Sequence, residues 1–164
     1  MNRAFLFLLT LPAFCQSPIQ VPDIKLPTYL AGGGAFNQLA GINLWASGIL
    51  PVSSSIGLYE STTADLFPVK ATVNGRSGYV FQTSIRQGIH KVVHDDGKNM
   101  ALIGADGGYS FASSNASGAS ASIILTYVRH IGKSWAVMFP VRALYLPGVG
   151  GWNAIAEVGL CFKP

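Results

Sequence analysis

Two long runs of period-two alternation near the carboxyl end constrain the fold more than any other part of the sequence. The runs are Trp135–Tyr145 and Trp152–Phe162, and the glycine-rich segment 147–151 separates them. In each run one alternate set of side chains is wholly apolar with aromatic ends, and the other set carries the charges Arg142 and Glu157. Each run is long enough for a tilted strand that crosses a membrane, whereas strands of soluble proteins are usually about 5–6 residues long. An apolar outer band with a mixed inner face is typical of transmembrane β-barrels.

The same two runs predict a hairpin with a defined register. If residues 148–151 form the loop, Pro147 faces Trp152 and Arg142 lies directly across from Glu157. Opposite residues have Cβ atoms about 4.5–5.5 Å apart, so the two charges are close enough to pair. An isolated charge inside a narrow barrel is costly, and we therefore interpret the pair as structural. A transport or catalytic role for the pair is the alternative.

The amino-terminal sequence predicts that the protein is exported, and it divides the chain into a signal peptide, a leader and a barrel domain. Residues 1–15 combine a basic start, an apolar stretch and small residues before the expected cleavage site, as a secretory signal peptide does. Cleavage after Cys15 leaves Gln16 as the first mature residue, and lipidation of Cys15 is the competing interpretation. Residues 16–27 contain three prolines and no clear period, so we predict an extended periplasmic leader. Residues 28–164 form the predicted barrel domain.

Composition excludes several other classes of protein. Charged residues make up 11 % of the chain, against about 25 % in ordinary soluble domains. No run of 18 apolar residues occurs after the amino terminus, so no membrane-spanning helix is predicted. Removing residues 1–15 takes away Arg3 and no acid, which lowers the net charge from +4 to +3. The basic residues are scattered, so we expect no nucleic-acid partner. Cys161 is then the lone cysteine, which excludes a disulfide-stapled scaffold.

Six further strands are predicted before the hairpin, which makes eight in total. They span residues 28–37, 42–52, 56–66, 78–93, 100–112 and 119–130. Segment 67–77 is predicted to be the first long loop, and segment 94–98 carries an Asp-Gly turn signal. An even number of strands matches single-chain outer-membrane barrels, and eight close into a barrel that side chains just fill. We expect connections after the second, fourth and sixth strands to be turns, and those after the third and fifth to be loops.

Alternation assigns most side chains to a face, with a few exceptions. Trp45 and Tyr59 suit either side of a barrel wall, so the second and third strands have no assigned facing. Thr83, Gln87 and Lys91 weaken the outer band of the fourth strand, and we expect the last two near one edge. Pro140 has no amide hydrogen, which predicts a bulge at that position. The three glycines at 32–34 are expected to make room for a bulky inward neighbour or to allow a strong bend.

Four charged residues are predicted to share the lumen: Arg86, Asp106, Arg142 and Glu157. Two bases and two acids cancel, so we expect a network that stabilises the barrel and closes it to ions. The alternative is a gated narrow pore, in which replacing Glu157 with Ala opens conductance.

At this point the chain resembles the small OmpA/OmpX-like outer-membrane barrels. The resemblance covers residues 28–162 and rests on strand count, alternation, the signal peptide and a terminal aromatic strand. It implies an all-β, eight-stranded antiparallel transmembrane barrel with up-and-down topology, in the outer membrane of a Gram-negative bacterium. The implied partners are outer-membrane lipid and the barrel-assembly machinery, which reads the C-terminal strand, and the implied state is a monomer. Family members usually end on the aromatic residue, whereas Lys163 and Pro164 follow Phe162 here.

No residue pattern predicts catalysis, a metal or a cofactor. His90 and His94 are four residues apart, about 13 Å along a strand, which is too far for a shared ion. The acids Asp95 and Asp96 are interpreted as solvated turn residues. No Gly-x-Ser-x-Gly motif or positioned Ser–His pair is evident, so a non-enzymatic role is predicted. The alternatives are a lipid-modifying outer-membrane enzyme and a soluble, secreted lipocalin-like barrel with apolar side chains inside.

Overall fold

The computed structural model describes residues 26–37, 41–73, 76–112, 117–147 and 152–164. These residues form eight strands: β1 (Tyr29–Asn37), β2 (Gly41–Ser53), β3 (Leu58–Val73), β4 (Arg76–Asp95), β5 (Asn99–Ala112), β6 (Gly118–His130), β7 (Trp135–Tyr145) and β8 (Trp152–Phe162). Within this part of the chain no helix is long and apolar enough to cross a membrane. The predicted signal peptide, residues 1–15, and most of the leader lie outside the described residues.

The strands close into an antiparallel barrel with up-and-down topology, as predicted. Each strand pairs with its neighbours in sequence, and β8 pairs with β1. The pairing is staggered, so a row of directly paired residues that starts at Phe162 on β8 passes once around the barrel and returns to β8 at Trp152. Such a stagger accompanies strands that tilt relative to the barrel axis.

The two ends of the barrel differ. Short connections at residues 54–57, 96–98 and 131–134 lie at one end, together with the start of β1 and the end of β8. We name this the turn end, and the opposite end the loop end. The predicted turns after β2, β4 and β6 are therefore confirmed.

The predicted loop at 67–77 is wrong, because β3 continues to Val73 and β4 begins at Arg76. Among the described residues, 67–73 pair only with β4 and 76–81 pair only with β3, so the two strands extend past the described parts of their other neighbours as a two-stranded ribbon. Pro68 suggested a break in the strand. It lies where β3 has a free edge, and an edge position tolerates a residue without an amide hydrogen.

Alternation predicted the facing of β4–β8 correctly. On β7, for example, Val141 is 52 % exposed while the neighbouring Arg142 is 3 % exposed. The two aromatic residues without an assigned face both point inward, with Trp45 5 % and Tyr59 0 % exposed. Both side chains help to fill the lumen, because they pack in the same buried apolar cluster. Gln87 pairs with Thr62 in the middle of the wall, so only Lys91 lies toward an edge as expected.

The register of the β7–β8 hairpin differs from the predicted one by two residues. Tyr145 pairs with Trp152, and Arg142 lies opposite Ile155 instead of Glu157. The connection is longer than predicted because Leu146 leaves the strand and is buried, 3 % exposed, among apolar lumen residues at the loop end. A shift of two residues keeps every side chain on its face, so the predicted faces still hold.

Pro140 interrupts the ladder without the predicted bulge. Pairing between β7 and β8 is absent at residues 139–140 and resumes in the same register at Val141, opposite Ala156. On its other side Pro140 pairs in register with Thr126. The wall therefore accommodates the missing amide hydrogen by a local gap toward β8.

Candidate functional site

Five charged side chains meet in the middle of the lumen and form the strongest candidate site. The four predicted residues, Arg86, Asp106, Arg142 and Glu157, are all there and are 7 % exposed or less. The fifth is Asp65 on β3, which is 2 % exposed. Sequence reasoning missed Asp65 because the facing of β3 was unassigned. Tyr59, six residues earlier on the same strand, shares the inward face, but an aromatic ring suits either side of the wall and gave no signal.

Asp65 joins the two arginines into one network, which we name the charged layer. Its Oδ2 atom pairs with Arg86, and its Oδ1 atom lies 3.3 Å from Arg142 Nη1. Arg142 also pairs with Glu157, as the sequence predicted, although the two residues are diagonal and not directly opposite. Arg86 Nε lies 3.0 Å from Asp106 Oδ1, an ionic contact without hydrogen-bond alignment. The charged layer therefore holds three acids and two bases, not the balanced set expected.

Neutral polar side chains hold the carboxylates in place. Ser84 Oγ donates to Asp65 at 3.2 Å and accepts from Arg86 Nη1 at 2.6 Å. Ser122 Oγ donates to Asp106 at 2.7 Å, and Asn43 Nδ2 donates to Glu157 at 3.2 Å. Hydrogen bonds of this kind offset the cost of burying ions in a site where water cannot solvate them.

Apolar clusters cover the charged layer toward both ends. The cluster toward the turn end, which we name the turn-end cluster, contains Leu26, Tyr29, Ala31, Trp45, Ile49, Tyr59, Met100, Leu102, Val128, Ala136, Met138 and Cys161. The loop-end cluster contains Ala35, Phe67, Leu144, Leu146 and Ile155. The lumen is thus filled in three layers, apolar, charged and apolar, along the barrel axis.

Inward glycines make room for the large side chains. A Cβ atom at Gly159 would lie 2.5 Å from the Trp45 ring, and one at Gly104 would lie 2.3 Å from His90 Nδ1. At 32–34 the expected bulky neighbour is not found, because a Cβ atom at Gly33 would instead meet the β8 backbone, with Val158 O at 2.0 Å. Close packing of this kind is how a barrel of eight strands closes its interior.

The structure brings together a serine and a histidine that sequence reasoning did not pair. Ser61 Oγ lies 2.7 Å from His90 Nε2 across β3 and β4, and both residues are buried. The cavity beside them, lined by residues that include Thr63, Thr126 and Arg142, has a volume of about 20 Å³. That volume holds about one water molecule, so an acyl substrate does not fit. Ser61 and His90 therefore form a buried polar pair, and no described residue makes a hydrogen bond with His90 Nδ1, as the third member of a catalytic triad would.

Among the described residues, no three His, Cys, Asp or Glu side chains come close enough together to hold a metal ion. His94 and Asp96, both considered in the sequence, lie 3.8 Å apart on the surface at the turn end. His90 is buried inside the barrel, whereas His94 and Asp96 are exposed on its surface. The charged layer is therefore the site on which a function has to be argued.

Comparison with known proteins gives no family. No protein-family model matches the chain, and no curated protein sequence matches it.

Proposed function

We propose that the protein is a small, non-enzymatic outer-membrane β-barrel with a plugged polar lumen, which stabilises the envelope or presents its loops outside the cell. One observation carries the proposal, namely that the barrel is apolar outside and charged inside. Large apolar side chains on β6–β8 are between 41 % and 58 % exposed: Ile123, Leu125, Phe139, Val141, Val158 and Leu160. Exposed apolar patches of this extent are rare on soluble monomers, whereas acyl chains solvate them without cost.

Outward aromatic residues near both ends support a membrane location. At the turn end Trp135 and Phe162 pack with ring centroids 5.3 Å apart. At the loop end Tyr145 and Trp152 pack at 6.0 Å, and Tyr109–Phe111 form a second pair there. Aromatic side chains are enriched where the acyl region meets the headgroups, so we name these two sets the aromatic girdles.

The proposal places the turn end in the periplasm and the loop end outside the cell. Its partners are outer-membrane lipid around the wall and the barrel-assembly machinery at β8, and the predicted signal peptide delivers the chain. The OmpA/OmpX-like resemblance is part of the same proposal. A lipocalin-like barrel requires the reverse arrangement, with apolar side chains inside and polar ones outside.

Membrane fractionation combined with gel mobility tests this function. We expect the mature chain in the outer-membrane fraction, and a band that migrates differently before and after heating in detergent, because a closed barrel resists unfolding by detergent alone. A chain that is recovered in the soluble periplasmic fraction after mild lysis would overturn the proposal.

A further inference from the structure

Polar side chains interrupt the outer apolar surface on one hairpin. Among the described outward residues between the aromatic girdles, the polar ones all lie on β3 and β4: Glu60, Thr62, Thr83, Gln87 and Lys91. Elsewhere in the described wall, outward polar residues such as Asn99 and Arg129 occur only at strand ends at the turn end. The interruption is therefore a local feature of one side of the barrel.

Thr62 and Gln87 lie at mid-height of the wall. They pair directly with each other. Both belong to the row of paired residues that leads from Phe162 at the turn end, once around the barrel, to Trp152 at the loop end. Of the eight strands that the row reaches after Phe162, β3 and β4 are the third and fourth, which places the two residues halfway between the ends. A side-chain amide at this depth faces the middle of the acyl region, where it finds no hydrogen-bond partner in lipid. Within the described chain, no hydrogen bond engages either side chain.

Glu60 and Lys91 lie nearer the turn end at almost equal height. Glu60 is two residues from Thr62 in that direction, and Lys91 is four residues from Gln87. The row climbs by about one residue per strand, so the two charges stand within about one residue's rise of each other. Both side chains are exposed, and they lie on adjacent strands.

Small residues flank the polar ones and leave the surface open to close approach. Gly48 on β2 is paired with Thr62, and Gly107 on β5 is paired with Gln87. A Cβ atom at Gly48 or Gly107 would find its nearest neighbour 4.0 Å or 3.9 Å away. In membranes, small residues beside polar side chains are the composition of surfaces where two protein segments pack.

We propose that this surface, formed by Glu60, Thr62, Gln87 and Lys91 on β3 and β4 and flanked by Gly48 and Gly107, binds a second copy of the chain within the membrane. The inference rests on the proposed function, because two copies must share one membrane and one orientation. A two-fold axis along the membrane normal, placed over the seam between β3 and β4, then sets β3 of each copy against β4 of the other.

That symmetry makes the surface complementary to itself. Glu60 of one copy meets Lys91 of the second copy at the same height, and the reciprocal pair forms by the same rotation. Thr62 meets Gln87 of the second copy in the same way, so each hydroxyl and amide gains a partner that lipid does not supply. One acid and one base per copy form two intermolecular ion pairs, and the barrel associates as a dimer where the OmpA/OmpX-like resemblance implied a monomer.

Charge exchange tests the pairing. The single variants Glu60→Lys and Lys91→Glu place like charges at both symmetric contacts, so each homodimer should weaken roughly tenfold or more. Mixing the two variants should restore association, because each contact then joins a lysine to a glutamate. The measurement is energy transfer between donor- and acceptor-labelled chains in vesicles. Failure of the mixture to associate, with both variants inserted, would overturn the proposal.

A steric variant provides the second test. Ala64→Leu adds bulk to an exposed, outward position on β3 beside the seam with β4, so it should hinder the approach of a second barrel, lower energy transfer and leave heat-modifiable gel mobility unchanged. The matched control Ala143→Leu makes the same change on the outward face of β7, on the far side of the barrel, and association should persist. Energy transfer that is unchanged in Ala64→Leu would contradict the proposed surface. Loss of vesicle insertion by the unmodified chain would instead contradict the membrane function itself.

Discussion

Asp65 links the two buried arginines and gives the described charged layer more acids than bases. Its carboxylate contacts both Arg86 and Arg142, while Asp106 and Glu157 each contact one arginine. Because the described charged layer holds three carboxylates and two guanidiniums, every arginine already has more than one counter-charge. The arginines are therefore the limiting members, and losing an acid costs less than losing a base.

The first prediction compares Arg142→Met with Asp106→Asn. Removing the Arg142 guanidinium leaves Glu157 buried without an arginine and leaves Arg86 as the one base beside three acids, so the free energy of unfolding should fall by about 3–5 kcal/mol. Asp106→Asn removes one ion pair, leaves the other three intact and should lower the free energy of unfolding clearly less. Urea unfolding in vesicles measures both. Equal costs for the two variants would show that the layer is not short of positive charge.

The second prediction compares two glycines on β5. Gly104 faces His90, and a methyl group there would clash with the imidazole ring and with the carbonyl oxygen of Ile89 at 2.6 Å. Gly104→Ala should lower the free energy of unfolding by roughly 1–3 kcal/mol. Gly107 faces outward, and a Cβ atom there would make an ordinary contact with Ser120 O at 3.9 Å, so Gly107→Ala should stay within about 0.5 kcal/mol of the original chain. If both variants unfold at the same urea concentration, the tight packing around His90 is not needed for stability.

At the scale of an element, the β4–β5 turn shows how a short connection is held at the turn end. Asp96 Oδ1 accepts hydrogen bonds from the amides of Lys98 at 2.9 Å and Asn99 at 2.6 Å, and Asn99 Nδ2 donates to its other oxygen at 2.9 Å. Gly97 takes a φ of 80°, a left-handed conformation that suits glycine, as the Asp-Gly signal predicted. The side-chain and backbone donors of Asn99, followed by Lys98, hold the pKa of Asp96 well below its usual range.

The third prediction is a pH dependence of this turn. A carboxylate whose pKa is lowered by folding stabilises the fold above its unfolded pKa of 3.8, and that stabilisation is lost as the pH falls toward the lower folded value. Asp96→Ala should therefore speed unfolding at neutral pH, and the difference from the original chain should shrink below about pH 4. Unfolding rates between neutral and acid pH measure this. Asp95→Asn, which keeps the oxygen that accepts from Gly97, is the control and should show little effect. A difference that persists unchanged into strong acid would contradict the role of the ionised carboxylate.

At the scale of the whole molecule, the three-layer filling of the lumen decides between a plug and a pore. The turn-end cluster includes the side chains of Tyr29 and Tyr59, whose rings pack 6.2 Å apart, and the loop-end cluster includes Phe67, which is 1 % exposed. Both clusters stay in place whatever happens to one charge. Opening the charged layer alone therefore leaves no continuous polar path along the described lumen.

The fourth prediction follows for planar bilayers. The original chain should give no stable wide channels. Glu157→Ala should likewise show no conductance, because apolar side chains still cover the charged layer on both sides. The gated narrow pore predicts the opposite, namely conductance in Glu157→Ala. Single-channel recordings of both proteins, with a known porin as the positive control, distinguish the two. Conductance in Glu157→Ala would establish the pore and contradict the plug.

Much of this architecture was predictable from local patterns. Alternation placed Val141 outside and Arg142 inside, and the same rule found the inward sets of β4–β6, because successive side chains on a strand point to opposite faces. Aromatic residues such as Trp45 and Tyr59 escaped the rule, since they suit a membrane interface and a packed lumen equally well. Asp65 was missed with them, because it lies on the strand whose facing they left open.

By itself the sequence determined the number of strands and, for most of them, which side chains share a face, because a two-residue period depends only on local backbone geometry. Only the tertiary structure decided the register of β7 on β8, the extension of β3 and β4 past their neighbours, and the meeting of Asp65 with two arginines. Those features depend on how the closed wall is staggered and how its fixed interior is filled. Leu146 illustrates the reason. Its burial at the loop end accompanies a shift of two residues in the register of β7 on β8, and the space that it fills is formed by residues distant in the sequence.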